Sequence, residues 1–347
     1  MDLFPCLRLF GINLTSLYMG LRYFISQLKG VLGVEFFFVI SGFLITSILM
    51  RKEIHPKNVV HFYQRRFFRI YPAYCLMVML SIAIYTFQGH DEIGSAFIMA
   101  LYHLLFLQNY FPLHPFLAHT WTVVVLEQFY FFAPLLILAV NGIVLEENQR
   151  RQVFVGIVIL FMILACGIRV YCLNTGSSFI SWPLHSTTPY WTITSNLGPI
   201  GFGSLLALLE PYWSQWKKSK WWGIPLWIMG IVLFCILYFE FDWSYYWGNW
   251  YMYVLGYLCV GLLFFAAYHG VSLFAHLKIL QRLGRASYGI FVWHFLVLEF
   301  WKLLIGTIPP ELIVIGAFIS CIWVGVLSTN IFERYFLNLR EKVVPNI

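Results

Sequence analysis

The sequence predicts an all-α fold, a polytopic membrane helical bundle of about ten spans with one short interfacial or re-entrant helix. Three observations carry that expectation. Of 347 residues, 61% are hydrophobic, 20% aromatic and only 11% charged, whereas soluble domains carry about 25% charged residues. A chain of this length has too little polar material to coat a soluble globule. Apolar runs long enough to cross a bilayer, about 20 residues, recur along it. Lysine and arginine alternate between successive loops.

Taken in order, the candidate spans fall near 5–27, 31–50, 70–87, 121–140, 153–173, 193–212, 222–240, 250–268, 286–305 and 312–332. The stretch 96–111 is also apolar, but it is short and ends in Asn109-Tyr110-Phe111-Pro112. Loops 51–69, 141–152, 213–221 and 269–285 and the tail after 332 hold 17 of the 22 lysines and arginines. Loops 88–120, 174–192, 241–249 and 306–311 hold none, and only Lys29, with Arg22 nearby, runs against the alternation. Cytoplasmic loops collect basic residues, so both termini are expected in the cytoplasm. If 96–111 crossed the membrane, every later basic loop would face outward, so it is placed on the outer side without crossing.

This charge map accounts for the net charge of +7 as a topology signal and argues against nucleic acid as a partner; membrane lipid is the expected surroundings. The seven cysteines show neither CxxC nor Cys/His ligand spacing, so neither a disulfide framework nor a metal site is expected. The first apolar segment lacks a small-residue cleavage site and is followed by a second span, which reads as a retained helix rather than a signal peptide. Sparse midplane charge and the lack of a broken-helix pair speak against a transporter.

Charges within a membrane are costly and commonly functional. Here they are Arg8, Glu35, Glu127, Arg169, His294, Glu299 and Lys302. Arg169 and Lys302 lie near span ends, where long cationic side chains can snorkel. In "GVEFFFVISGFLI", Glu35 precedes the small pair Ser41-Gly42, which permits close approach of a helix or a ligand. In "YQRRFFRIYPAY", Arg65, Arg66 and Arg69 are spaced so that pairs share a helix face. Paired guanidiniums suit a phosphate-rich ligand; plain positive-inside charge is the other reading.

Those two stretches are followed by "HTWTVVVLEQFYFFAPLL" (His119 to Leu136), "GSLLALL" from Gly203, "LGRASYGIFVWHF" (Leu283 to Phe295) and "STNIFERYF" from Ser328. Together and in this order they resemble the acyltransferase 3 family of integral membrane O-acyltransferases, over nearly the whole chain. The resemblance implies a ten-span core and transfer of an acyl group, commonly acetyl from acetyl-CoA or another acyl-CoA co-substrate. The implied acceptor is a hydroxyl of an extracytoplasmic glycan or lipid-linked glycan, such as lipopolysaccharide O-antigen, exopolysaccharide or peptidoglycan. It implies a bacterial inner membrane location and a single transmembrane domain over 1–347, without the hydrolase-like domain that some members append. The substrate-binding candidates carried over are Arg8, Arg65, Arg66, Arg69, Ser41, Trp121, Glu127, Tyr130 and Tyr288. Glu35, at the acidic place of the family's "GVDLFF" pattern, and His294, in "SYGIFVWH", are catalytic candidates. Glu333-Arg334 matches the family's last-span ending, with Tyr335 in place of the usual proline, and is expected at the cytoplasmic interface.

The pattern breaks twice. The family's first-span arginine and histidine stand eleven steps apart, 1100° or three turns plus 20°, on one helix face about 16 Å apart. Arg8 fills the first place, but Met19 stands where the histidine is expected, and a thioether takes no proton. In "WTVVVLEQFY", Leu126 occupies the expected first glutamate, while Glu127 stands one residue on, 100° around the helix. Three readings follow: a catalytically impaired relative that binds a glycan, a lipid or a partner; a base relocated, with His294 the best candidate; or substitutions particular to this sequence.

Overall fold

A computed structural model describes residues 30–50, 55–89, 93–111, 115–144, 146–175, 192–216, 218–239, 250–271, 277–304 and 307–344. The expected first span, with Arg8 and Met19, lies outside them. The described chain is a helical bundle: α1 (Gly30–Met50), α2 (Pro56–Phe87), α3 (Ile93–Leu104), α4 (Trp121–Ile143), α5 (Glu147–Thr175), α6 (Ile193–Leu208), α7 (Lys220–Phe239), α8 (Trp250–Tyr268), α9 (Lys278–Lys302), α10 (Pro310–Leu327) and α11 (Arg334–Val343). Each expected span from 31–50 onward is matched by one of these helices. Among the described residues, six stretches are long and apolar enough to cross a membrane by length and composition. Their outward faces are apolar, with Phe132, Ile163, Phe318 and Trp323 all more than half exposed, as a bundle immersed in hydrocarbon requires.

Small residues draw α1 and α6 together. A Cβ on Gly42 would collide with the backbone of Ile200, and one on Gly203 with the backbone of Val39. Between them Thr46 donates to Ser204 at 2.9 Å, and Ser204 donates to the Ile200 carbonyl at 3.0 Å. With no water to drive hydrophobic association, such close backbone packing and hydrogen bonding hold the pair. Gly325 plays the same part between α10 and α9, where its neighbour is the backbone of Ile290.

The stretch 96–111 forms the twelve-residue helix α3 and a short 3-10 turn, Gln108–Tyr110. A helix rises 1.5 Å per residue, so α3 covers about 18 Å and falls short of the bilayer core. Its end turns sharply at Phe106, whose φ of 55° lies in the left-handed region. The irregular backbone is held from inside the protein. Gln108 donates to the Tyr74 hydroxyl at 2.9 Å and to Thr120 at 3.1 Å; Asn109 donates to the Trp121 carbonyl at 3.0 Å, and Gln128 to that of Phe106 at 3.1 Å. Non-helical backbone at membrane depth is tolerated where protein satisfies it in this way.

The chain between α10 and α11 continues through one wide π-type turn, Ser328–Glu333. Its Glu333 is buried, accepting from Ser328 at 3.2 Å and Thr329 at 3.1 Å, and it packs on the open face of Gly289 in α9. The sequence reading placed this glutamate at the cytoplasmic interface; the structure shows it buried at the π turn, within range of Arg69.

Candidate functional site

A cavity of about 890 Å³ lies between α1, α2, α4 and α9 and the 3-10 segment Pro115–Thr120 that leads into α4. Its walls follow helical periodicity. Gly33, Phe37, Ile40, Ser41, Leu44 and Ile45 come from α1; Arg66, Arg69 and Ile70 from α2; Trp121, Thr122, Leu126, Glu127 and Tyr130 from α4; and Ser287, Tyr288, Phe291, His294 and Phe295 from α9. Twelve residues separate Gly33 from Ile45, so the lined face of α1 runs for about 18 Å. Arg66 and Arg69 sit toward the end at which α1 finishes and α2 begins; the stretch read from the sequence as the basic loop 51–69 is helical from Pro56 onward. His294 and Phe295 lie at the other end with His119, where Phe37 stacks near Phe291 at 6.3 Å.

At the arginine end, the Arg66 guanidinium lies over the rings of Phe62 and Tyr130, 5.5 and 5.0 Å from their centroids. It is within electrostatic range of Glu127. The Tyr130 hydroxyl pairs with the side chain of Ser41, and the Tyr288 hydroxyl donates to the Ile70 carbonyl at 2.6 Å. Arg69 is likewise within range of the buried Glu333. Two cations are thus held beside two carboxylates in a largely apolar enclosure, where a charge interacts far more strongly than in water. A planar guanidinium stacked on an aromatic face also keeps its edge donors directed.

At the far end the His294 Nδ1 stands 2.5 Å from the Phe291 carbonyl. A carbonyl only accepts, so Nδ1 carries the hydrogen and Nε2 is bare. His119 approaches the same ring from the 3-10 segment, with ring centroids 4.8 Å apart.

The structure therefore gathers Ser41, Arg66, Arg69, Trp121, Glu127, Tyr130, Tyr288 and His294 around one space. It does not bring Glu35 or Arg65 to it. Glu35 is fully buried on another face of α1, in range of Arg169. That arginine is itself buried and donates to Asn196 at 3.4 Å; the snorkelling expected of it gives way to an internal charge partner. Lys302 does remain exposed, paired with Glu299 one turn back. Arg65 does not line the cavity and pairs with Glu341 of α11 at 3.3 Å. Of the two same-face pairs in the arginine cluster, the cavity takes Arg66 and Arg69.

Ser41-Gly42 divides its labour. Gly42 admits α6, and Ser41 faces the cavity. Leu126 and Glu127 both line the cavity, so the carboxylate one residue on reaches the space without any shift of α4. His119, Thr122 and Ser287 complete the lining. His119 and Thr122 were not singled out from the sequence, although His119 opens the quoted "HTW" motif; nothing in local spacing shows that a 3-10 turn folds it over α9.

The family pattern described as an acyltransferase domain, acyltransferase 3, matches residues 6–329. Among curated proteins, the chain is 26% identical over 347 residues to the "Putative O-acetyltransferase SAR0937" of Staphylococcus aureus strain MRSA252, covering 91% of this chain and 55% of that one. It is 26% identical over 297 residues to the O-acetyltransferase OatA of S. aureus strain NCTC 8325, covering 78% of this chain and 46% of that protein. The chain spans about half the length of the curated relatives it matches. No solved structure gives a significant match.

Proposed function

The chain belongs to the acyltransferase 3 family, and from that premise we propose that it is a membrane O-acetyltransferase moving an acyl group from acyl-CoA to a hydroxyl of an extracytoplasmic glycan. The observation that carries this reading is the elongated cavity with two arginines toward one end and an imidazole toward the other. Coenzyme A is a long ligand with phosphates near one end and a thioester at the other. Phosphates pair with guanidiniums through directed, charge-assisted hydrogen bonds. Seated on Arg66 and Arg69, an extended pantetheine arm runs along the apolar face of α1 and delivers its thioester toward His294. There a bare imidazole nitrogen can take the proton of an incoming hydroxyl. With the positive-inside orientation read from the loops, the donor enters from the cytoplasm and the acceptor from the outer side, in a bacterial inner membrane.

Tyr130, Ser41 and Tyr288 narrow the passage between the two ends and hold the arm, and Trp121 walls the reacting end. Arg8 is assigned to the donor side on the family pattern alone.

The test is transfer from radiolabelled acetyl-CoA to membrane glycan in vesicles carrying the full chain, together with acetyl-CoA binding to the purified protein. Saturable binding that weakens with Arg66→Ala, along with label in the glycan fraction, is the expected result. Absence of both overturns the reading. The apolar Leu126 inside the cavity favours one alternative, a relative that binds acyl-CoA without turnover. Retained binding with no transfer would identify it.

A further inference from the structure

Two imidazoles share the far end of the cavity, and each has spent only one of its nitrogens. His119 is 7% exposed. Its Nε2 lies 3.2 Å from the Val292 carbonyl of α9, so Nε2 carries the hydrogen and Nδ1 is bare. That Nδ1 is buried and has no hydrogen-bond partner among the described residues. His294 is the mirror case, with its hydrogen held on Nδ1 by Phe291 and Nε2 bare. The rings meet edge to face, 4.8 Å between centroids at 73°. Phe295 stacks on His119 at 4.4 Å and 13°, which fixes that ring further. A buried polar atom without a partner is costly and calls for an explanation. His119 Nδ1 is such an atom, and it shares the cavity end with the bare Nε2 of the half-buried His294, each ring locked by a backbone bond through its other nitrogen.

The geometry points to a shared-proton pair, in which His119 and His294 together carry the proton of the acceptor hydroxyl. The assignment rests on the acyltransferase reading. In the step, the hydroxyl oxygen bonds to the thioester carbonyl carbon while its proton moves to the bare Nε2 of His294. The carbon–sulfur bond then breaks, and the coenzyme A thiolate takes that proton as it leaves, so an ester and a thiol replace a hydroxyl and a thioester. A lone imidazole that gained a proton among apolar walls would be a poorly solvated cation. The bare Nδ1 of His119, on the ring whose centroid lies 4.8 Å from that of His294, accepts a hydrogen bond from the new N–H and spreads that charge. The pair supplies the acid–base function that Met19 cannot.

The test uses the full chain in lipid nanodiscs with acetyl-CoA and a glycan acceptor. In His119→Gln the side-chain amide still donates to Val292 but puts nothing basic at Nδ1. In His294→Asn the donor to Phe291 is kept and Nε2 is lost. We expect H119Q, like H119A, to lose about 100-fold or more in kcat, with acetyl-CoA affinity held within about threefold. The double variant H119Q/H294N is expected to be no slower than the slower single, as for residues acting as one unit. An H119Q rate within about threefold of wild type, or single losses that multiply in the double, overturns the pair. If H119Q does not fold, nitrogen-15 spectra of the two imidazoles in the wild-type protein decide: uptake of one proton sensed by both rings supports the pair, and two independent titrations overturn it. Wild-type protein that neither binds nor transfers sinks the acyltransferase reading itself, whereas active wild type with active H119Q sinks only the pair.

Discussion

The Arg66 guanidinium lies 5.0 Å from the ring centroid of Tyr130, one helix across, with Phe62 beneath it at 5.5 Å. The planar cation lies against two aromatic rings, lines the cavity and is within range of Glu127. A guanidinium offers phosphate a fixed fork of donors, which an ammonium on a flexible stem does not reproduce.

Arg66→Lys is therefore expected to weaken acetyl-CoA binding about tenfold or more, nearly as much as Arg66→Ala, since each tenfold is only about 1.4 kcal/mol. Arg65→Ala removes a partly exposed pair with Glu341 that lies off the cavity. Such pairs are worth about 0–1 kcal/mol, so binding should stay within about twofold. Titration of purified protein with labelled acetyl-CoA compares the three. Equal losses at positions 65 and 66 would mean that the cluster acts only through its total charge.

Gly42→Ala should destabilise the fold by about 1–3 kcal/mol, as overpacking does, because the new methyl meets the backbone of Ile200 and backbone cannot move aside as a side chain can. Gly167→Ala on α5, where a Cβ meets nothing within 4 Å, should leave stability unchanged or slightly raised through helix propensity. Thermal transitions followed by size-exclusion fluorescence distinguish the two. A G42A protein as stable as wild type would show that α1 and α6 do not approach as closely as this.

The helices from 31–50 onward, the shortness of 96–111 and the polar residues that gather around the cavity were legible in the sequence, because hydropathy and loop charge act over whole segments. Details set by a single side chain's direction were not. Glu35 and Ser41 sit six residues apart on α1, yet only Ser41 faces the cavity while Glu35 turns to Arg169. Helical periodicity shows that they diverge but not which neighbour each meets. Arg169 looked like a snorkelling end residue because its carboxylate lies 134 positions away in the chain. His119 and Glu333 were passed over as site residues for a related reason. A 3-10 turn and a π turn change the direction of a side chain by an amount that an ideal 100° step does not anticipate.

Orientation follows from the basic loops and is open to labelling. In a cysteine-free background, a cysteine at Ser219, between α6 and α7, should react with a membrane-impermeant maleimide only after the inner membrane is opened. One at Asp91, ahead of α3, should react in intact spheroplasts. The reverse pattern would invert the donor and acceptor sides. Reaction of both from outside would mean that 96–111 crosses after all.

Glu127 is expected to act through Arg66. Glu127→Gln removes the carboxyl group that lies within electrostatic range of the buried guanidinium, and a buried cation that loses its counter-group is left less well compensated. A fall in kcat/KM of about 10- to 100-fold is expected, with most of it in KM for acetyl-CoA, because the lost partner positions the donor site rather than the reacting atoms. Leu126 lines the same space one residue back. The double exchange Leu126→Glu with Glu127→Leu should then recover part of the loss, to within about tenfold of wild type, by returning a carboxylate to the cavity from the adjacent position. Steady-state kinetics on the single and the double decide. An E127Q enzyme with unchanged KM would show that Arg66 is held by its aromatic neighbours alone. A double no better than E127Q would show that only position 127 reaches the guanidinium.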